Sequence, residues 1–287
     1  MIWLDTLVQG ILLGGLYALF AAGLSLVFGI MRLVNLAHGD LIVLAAYLVL
    51  LGVSLLGLSP FVAALLAAPL MFAAGWALQT AVLNRVLGKD ILPPLLVTFG
   101  LSVALQNGLL EAFSADSRRI PAGALEGASL DLGLVTVGVM PLMTFVSAIA
   151  VILALNAIFY QTALGRAFRA TSDDAVTAGL MGIEPRRIFA MATGLAMVVV
   201  TVAALYLGMR ANFDPAIGPA RLLYAFEAVI IGGLGSLWGT LAGGIIIGLA
   251  QTIGAAVNPE WQILAGHIAF LAVLLVRPRG LFPRALD

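Results

Sequence analysis

The sequence predicts an all-α integral membrane protein. About eight membrane-embedded helices are expected, some broken or re-entrant, with one amphipathic helix held on the cytoplasmic side. Three observations predict this. The 287 residues are 62% hydrophobic and 10% charged, with mean hydropathy +1.14, whereas soluble domains carry roughly 25% charge. Apolar runs near the ~20 residues that cross a bilayer recur along the whole chain. The missing polarity is concentrated in one stretch, 161–187, which holds Arg166, Arg169, Asp173, Asp174, Glu184, Arg186 and Arg187.

The apolar runs fall at 7–30, 41–57, 60–83, 91–113, 138–160, 188–209, a broken stretch 222–257, and 262–276. Turn signals separate them: Ser59-Pro60, Lys89-Asp90, Pro93-Pro94, Pro141 near a helix start, and Asn258-Pro259. No polar segment is long enough for a soluble domain, so 1–287 reads as one membrane domain. It has an external loop at 114–137 and a cytoplasmic loop at 161–187. Met1–Gln9 lacks a basic n-region and carries Asp5, which argues against a cleavable signal.

Positive charge sets the orientation. Arg85 and Lys89, the four arginines of 161–187, and Arg277, Arg279 and Arg284 mark three cytoplasmic segments. That leaves 114–137 outside despite Arg118 and Arg119. Crossing parity then requires 222–257 to cross an even number of times. A re-entrant hairpin meets this, with half-helix 222–232, a turn at Gly232-Gly233-Leu234-Gly235-Ser236, and a longer helix 237–257 returning. A second interruption is expected at the front, where Met31–Asp40 precedes another apolar run. Irregular backbone at membrane depth survives only against protein or a watery cavity, so two such breaks, one per half, point to a transport path. Outside, Ser129–Val139 reads as one or two short extended segments, with Leu130, Leu132 and Leu134 alternating.

Composition excludes several classes. With no cysteine there is no disulfide framework, Cys-ligated zinc or iron–sulfur cluster. A formal net charge of zero leaves no nucleic-acid footprint. No G-x-x-x-x-G-K-[ST] occurs, so if ATP drives this chain, another subunit binds the nucleotide.

Small residues predict where helices touch. Gly235, Gly239 and Gly243 fall four apart, Gly244 and Gly248 add a second pair, and Gly10 and Gly14 repeat the spacing. Such ladders let backbones approach where lipid offers no hydrophobic drive. Asn35, His38 and Asp40 are costly in hydrocarbon. Either they line or brace a path at a helix break, with Asn35 capping the helix that follows, or 31–40 is an interfacial loop. No spacing motif joins His38 to His267, so no metal site is expected. Glu227 interrupts the run Leu222–Ile231 and is expected to pair with Arg221 or Arg210. A serine hydrolase built on Ser236 with His267 or His38 is disfavoured, since no acid is placed to orient a histidine. An ion-coupled carrier finds only Asp40, His38, Glu227 and His267 for a relay. The stretch 161–187 is longer than a connection needs and carries Phe168, Ala175, Ala178, Gly179, Met181, Gly182 and Ile183 at helical spacing. It is therefore expected to dock a partner protein.

Five separated motifs, in order along the whole chain, resemble a known family. They are Gly14-Gly15-Leu16-Tyr17-Ala18-Leu19, Asn35-Leu36-Ala37-His38-Gly39, Gly165-Arg166-Ala167-Phe168-Arg169-Ala170 with Leu180-Met181-Gly182-Ile183, Gly232-Gly233-Leu234-Gly235-Ser236, and the tail Arg277–Phe282. The chain is similar to LivH-type permeases of branched-chain amino acid ABC importers, a family that also includes urea, amide and aromatic-acid members. The resemblance implies a LivM-like second permease, two LivG/LivF-like ATPases that bind ATP and magnesium, and a periplasmic solute-binding protein. It implies no catalytic residue and no cofactor in this chain. It makes 161–187 the coupling loop, with Gly165, Arg166, Arg169, Ala178, Gly182 and Ile183 at the ATPase. The broader importer motif E-A-A-x-x-x-G is only partly kept, because Val176, Thr177 and Ala178 precede Gly182 and the glutamate is missing. Asn35, His38, Gly39, Asp40, Gly232, Gly233, Gly235 and Ser236 become path residues. Gly10, Gly14, Gly239, Gly243, Gly244 and Gly248 remain helix-packing residues.

Overall fold

A computed structural model describes residues 2–88, 90–131, 133 and 135–282. Expectations resting on Lys89, Leu132, Leu134 and Arg284 fall outside the described residues. The helices are α1 (Ile2–Met31), α2 (His38–Leu56), α3 (Pro60–Leu78), α4 (Asn84–Val86), α5 (Leu92–Phe113), α6 (Val139–Gln161), α7 (Ala163–Asp173), α8 (Ala175–Leu180), α9 (Pro185–Arg210), α10 (Gly218–Gly232), α11 (Leu237–Val257) and α12 (Trp261–Val276). A π-helical turn, Gln79–Leu83, fuses α3 to α4. Among the described residues, seven helices are long and apolar enough to cross a membrane, and α12 is a shorter apolar helix.

Prolines set several starts. Pro60, Pro93, Pro185 and Pro219 sit in the first turns of α3, α5, α9 and α10, where a missing N–H costs nothing. The half-helix expected at 222–232 therefore begins at Gly218. Gly57, at φ +64°, closes α2 in the left-handed conformation.

The centre of the bundle is α1, where Ala18 to Ala22 are 0–1% exposed. The glycine ladder seats α11 against it. A Cβ on Gly244 would meet the Gly14 carbonyl at 2.6 Å, and one on Gly10 would meet Thr252 and Leu249. Gly239 and Gly243 press on α10 instead, at Gly232 and Ala228.

Two hydrogen bonds show which way α1 runs. Gln9 donates to the Thr136 carbonyl at 3.1 Å, at the end that carries the hairpin β1 (Ser129–Asp131) and β2 (Thr136–Gly138). Ser172 of α7 donates to the Gly29 carbonyl at 2.7 Å, at the other end. The chain thus starts on the hairpin side, which sequence reasoning left open. The two arginines that offended the charge rule are tied down there. Arg118 exchanges backbone hydrogen bonds with Phe213, and Arg119 donates to the Met209 carbonyl.

The re-entrant hairpin needs correction. Even parity holds, but the Gly233–Ser236 turn does not lie at mid-depth. Gly29 and Gly235 touch at the α7 end of the bundle, and the tail packs there too. Leu281 and Phe282 donate to the carbonyls of Ile231 and Gly232. The break at depth comes before α10. Phe213 meets Tyr47 at 5.0 Å between ring centroids, whereas Gly218 meets Gly39, so the segment between them descends about two turns of α2.

Candidate functional site

The front interruption is real and deeply placed. After Met31 the chain leaves the helix, with Arg32 at φ +52°, and climbs back to the middle of α1. There His38, 1% exposed, donates through Nε2 to the Phe20 carbonyl at 2.8 Å. Its imidazole is held by one backbone partner inside the core, which answers the polar cost of burial. Asn35 Oδ1 accepts from the Ala37 N–H at 3.0 Å, but it lies two residues before Ala37, which holds the N-cap position, so the expected side-chain cap of α2 by Asn35 is not formed. The interfacial-loop reading of 31–40 fails, because Asn35, His38 and Asp40 are all buried and α2 already begins at His38.

Asp40 accepts from Ser102 of α5 at 2.5 Å, and Gln106 donates to Ser102 in turn at 3.0 Å. Gly39 lies against the Gly218 carbonyl, and the Gly218 Cα lies against Asp40 Oδ1. The first turns of α2 and α10 thus meet through two glycines and a buried carboxylate. Gly232, Gly233, Gly235 and Ser236 form the distant turn, beside a cleft of about 340 Å³ that also touches Ser25, Asn156 and Trp238. Ser236 Oγ is spent as the cap of α11, accepting from the Gly239 N–H at 3.1 Å.

Glu227 pairs with neither arginine. His267 of α12 donates through Nδ1 to its Oε1 at 2.5 Å, and Tyr224 stacks on the imidazole with centroids 6.5 Å apart. An acid does orient a histidine, so that premise against hydrolase chemistry is overturned. Distance still separates His267 from Ser236, and the Nε2 of His38 is taken by the Phe20 carbonyl. Gly266, next to His267, packs on Gln251, and the 15 residues of α11 that separate Gln251 from Ser236 span ~20 Å. Sequence reasoning missed this pair because nothing in the local spacing of 227 or 267 joins α10 to α12.

The loop 161–187 folds as two helices rather than one, broken at Asp174. The Asp174 carboxylate caps α8, accepting from the Val176 and Thr177 N–H groups at 2.9 and 3.1 Å and from the Thr177 hydroxyl at 2.5 Å. These donors hold its pKa below the usual carboxylate value, the Thr177 side chain contributing most. α7 is fastened to the bundle. Phe168 packs on Phe159 at 5.4 Å between centroids, Gly165 lies against the Ile158 and Phe159 carbonyls, and Arg169 donates to the Phe159 carbonyl while lying 5.3 Å from the Tyr160 ring. Ala178 is buried and Ile183 is half-buried, its N–H bonded to the Ala178 carbonyl. Of the six proposed ATPase residues, only Arg166 and Gly182 are exposed, and Gly182 turns the chain at φ +86°. The exposed apolar face belongs to Val176, Leu180 and Met181, at 76, 83 and 80%.

A polar chain ties this end of α9 to the π-helical turn. Asn84 donates to the Arg186 carbonyl at 3.2 Å, Gln79 to Asn84 at 3.0 Å, and Thr193 to Gln79 at 2.8 Å. No group of His, Cys, Asp or Glu residues that could hold a metal occurs among the described residues.

Comparison with known proteins fits this architecture. Residues 6–276 match the family described as branched-chain amino acid transport system / permease component. The high-affinity branched-chain amino acid transport system permease protein BraD of Pseudomonas aeruginosa PAO1 is 30% identical, over 98% of this chain and 96% of its own length. LivH of Escherichia coli K12 is 28% identical over 98% of this chain and 96% of its own length. LivM of the same strain is 24% identical over 93% of this chain and 68% of its length. PsaBC from Streptococcus pneumoniae, solved in complex with Fab, is a looser likeness, with 18% identity over 96% of this chain and 92% of that one and a TM-score of 0.48. A family match over nearly the whole chain, on a bundle in which seven helices among the described residues are long and apolar enough to span, places this protein among the branched-chain amino acid transport permeases: a multi-pass transport subunit of the inner membrane and not an enzyme.

Proposed function

We propose that the chain passes a branched-chain or other amino acid from a periplasmic binding protein to the cytoplasm. It does so paired with a LivM-like second permease, and two LivG/LivF-like ATPases that bind ATP and magnesium drive the pair. The observation that carries this reading is α8. A short helix, capped by Asp174 and held to the bundle through α7, presents Val176, Leu180 and Met181 to the cytoplasmic side. Three large apolar side chains on a polar connection suit burial in a partner's groove.

Force on α8 passes to α7, whose Ser172 and Arg169 grip α1 and α6, and along the chain to α9, which Asn84 and Gln79 tie to the π-helical turn through the Arg186 carbonyl. Rigid helices then carry the shift to the hairpin end. Asn35, His38, Gly39 and Asp40 brace the start of α2 where it meets α10, and the path runs beside them. Gly232, Gly233, Gly235 and Ser236 hold the far end against α1 and the tail.

The test is Leu180→Glu, alone and with Met181→Glu, in the assembled transporter. Co-purification with the ATPases should fall at least tenfold, and ATP-driven uptake with it, at an unchanged melting temperature. Uptake driven by an ion gradient in vesicles without ATPases would sink the reading.

A further inference from the structure

Polar side chains gather between α1, α9, α10, α11 and α12. Arg210 ends α9 and Arg221 lies in the first turn of α10. Both lie within electrostatic range of Tyr17. Tyr17 donates to Gln251 at 2.5 Å and packs on Tyr224 at 5.0 Å between centroids. Tyr224 stacks on His267, which holds Glu227. Among the described residues, eight buried side-chain polar atoms lack a hydrogen-bond partner, and four belong to this cluster: Arg210 Nη1, Arg221 Nε, Gln251 Nε2 and Glu227 Oε2. No carboxylate of the described residues forms an ion pair with either arginine. Asp214 acts on Arg221 only through space, without an ion pair. Two half-buried guanidiniums with no paired carboxylate are costly, and groups that persist in this condition mark a binding function.

We infer that Arg210 and Arg221 receive the carboxylate of the transported solute, which makes that solute a zwitterionic amino acid and not urea or a neutral amide. The inference rests on the transport reading above and assigns it a site. A guanidinium is the side chain best matched to a carboxylate, presenting paired N–H donors to its two oxygens. Gln251 adds a third unpartnered donor. Glu227, less than two turns beyond Arg221, leaves one carboxylate oxygen free toward an ammonium group. Donors and acceptor together fit a molecule bearing both charges better than a simple anion.

The test uses the transporter assembled with its second permease, ATPases and binding protein in proteoliposomes, with L-leucine and L-leucinamide as probes. Arg210→Met and Arg221→Met should each lower L-leucine uptake at least tenfold. The melting temperature should stay level or rise, because an unpaired, half-buried charge is removed, whereas a structural arginine would lower it. Lysine at either position should restore part of the rate. Without binding protein, L-leucine should raise the melting temperature of the wild-type complex and L-leucinamide should not. Wild-type uptake in the double methionine variant overturns the site alone, as does loss of the second permease from that variant on purification. A wild-type complex that moves no amino acid overturns the transport reading and the site with it.

Discussion

Gly39 and Gly218 leave no room for a methyl group between them: a Cβ on Gly39 would overlap the Gly218 carbonyl, and a Cβ on Gly218 would overlap Asp40 Oδ1. Overpacking a tight contact typically costs about 1–3 kcal/mol. Gly39→Ala should therefore lower the melting temperature in detergent, and Gly39→Val should abolish accumulation in the membrane. Equal stability of Gly39→Ala and wild type would contradict the contact.

The glycines divide into two groups that behave oppositely. Gly244 touches Gly14 and Ala18, while Gly100 on α5 has open space where a Cβ would stand. Gly244→Ala should destabilise through steric overlap. Gly100→Ala should be neutral or stabilising by up to about 1 kcal/mol, because alanine is the better helix former. Paired thermal melts of the two variants check this, and the sign of each shift decides it.

The Asp174 cap predicts a pH dependence with a definite sign. Its folded pKa is depressed, with the Thr177 hydroxyl the largest cause and the Thr177 and Val176 N–H groups following. Its stabilisation is therefore complete above the ordinary aspartate pKa and is lost as pH falls through the depressed value. Once intrinsic rates are corrected for, amide exchange in Ala175–Leu180 should be protected at neutral pH and lose protection in acid. Asp174→Asn should show weaker protection that does not change with pH. Acid-insensitive protection in the wild type would contradict the cap.

The helix framework was legible because proline punctuation coincides with the ends of apolar runs, as at Pro60, Pro93 and Asn258-Pro259. The glycine ladder was legible because its four-residue spacing is itself the packing geometry. What the sequence hides is which buried groups meet. Glu227 finds His267 on α12, and Asp40 finds Ser102 on α5, through pairings 40 and 62 residues apart that no local pattern encodes. Depth was the other blind spot. Hydropathy marks an interruption at 31–37 and a glycine turn at 232–236 alike, yet only the first lies inside the bundle, because the tail and Gly29 claim the second. At the coupling loop, spacing found the amphipathic helix but could not say which residues the protein keeps for itself. Phe168, Gly165 and Arg169 turn inward to α6, and the outward face passes to Val176, Leu180 and Met181.

The π-helical turn at Gln79–Leu83 stores one residue more than an α-helix of the same length would use. Drawing that spare residue straight would swivel Arg85 and the rest of the cytoplasmic tip by about 100° and shift it by about 1.5 Å. Because Asn84 clasps the Arg186 backbone, such a swivel could not occur without tugging the root of α9. The register of the third span is therefore tied to the position of α9 through a single side-chain hydrogen bond.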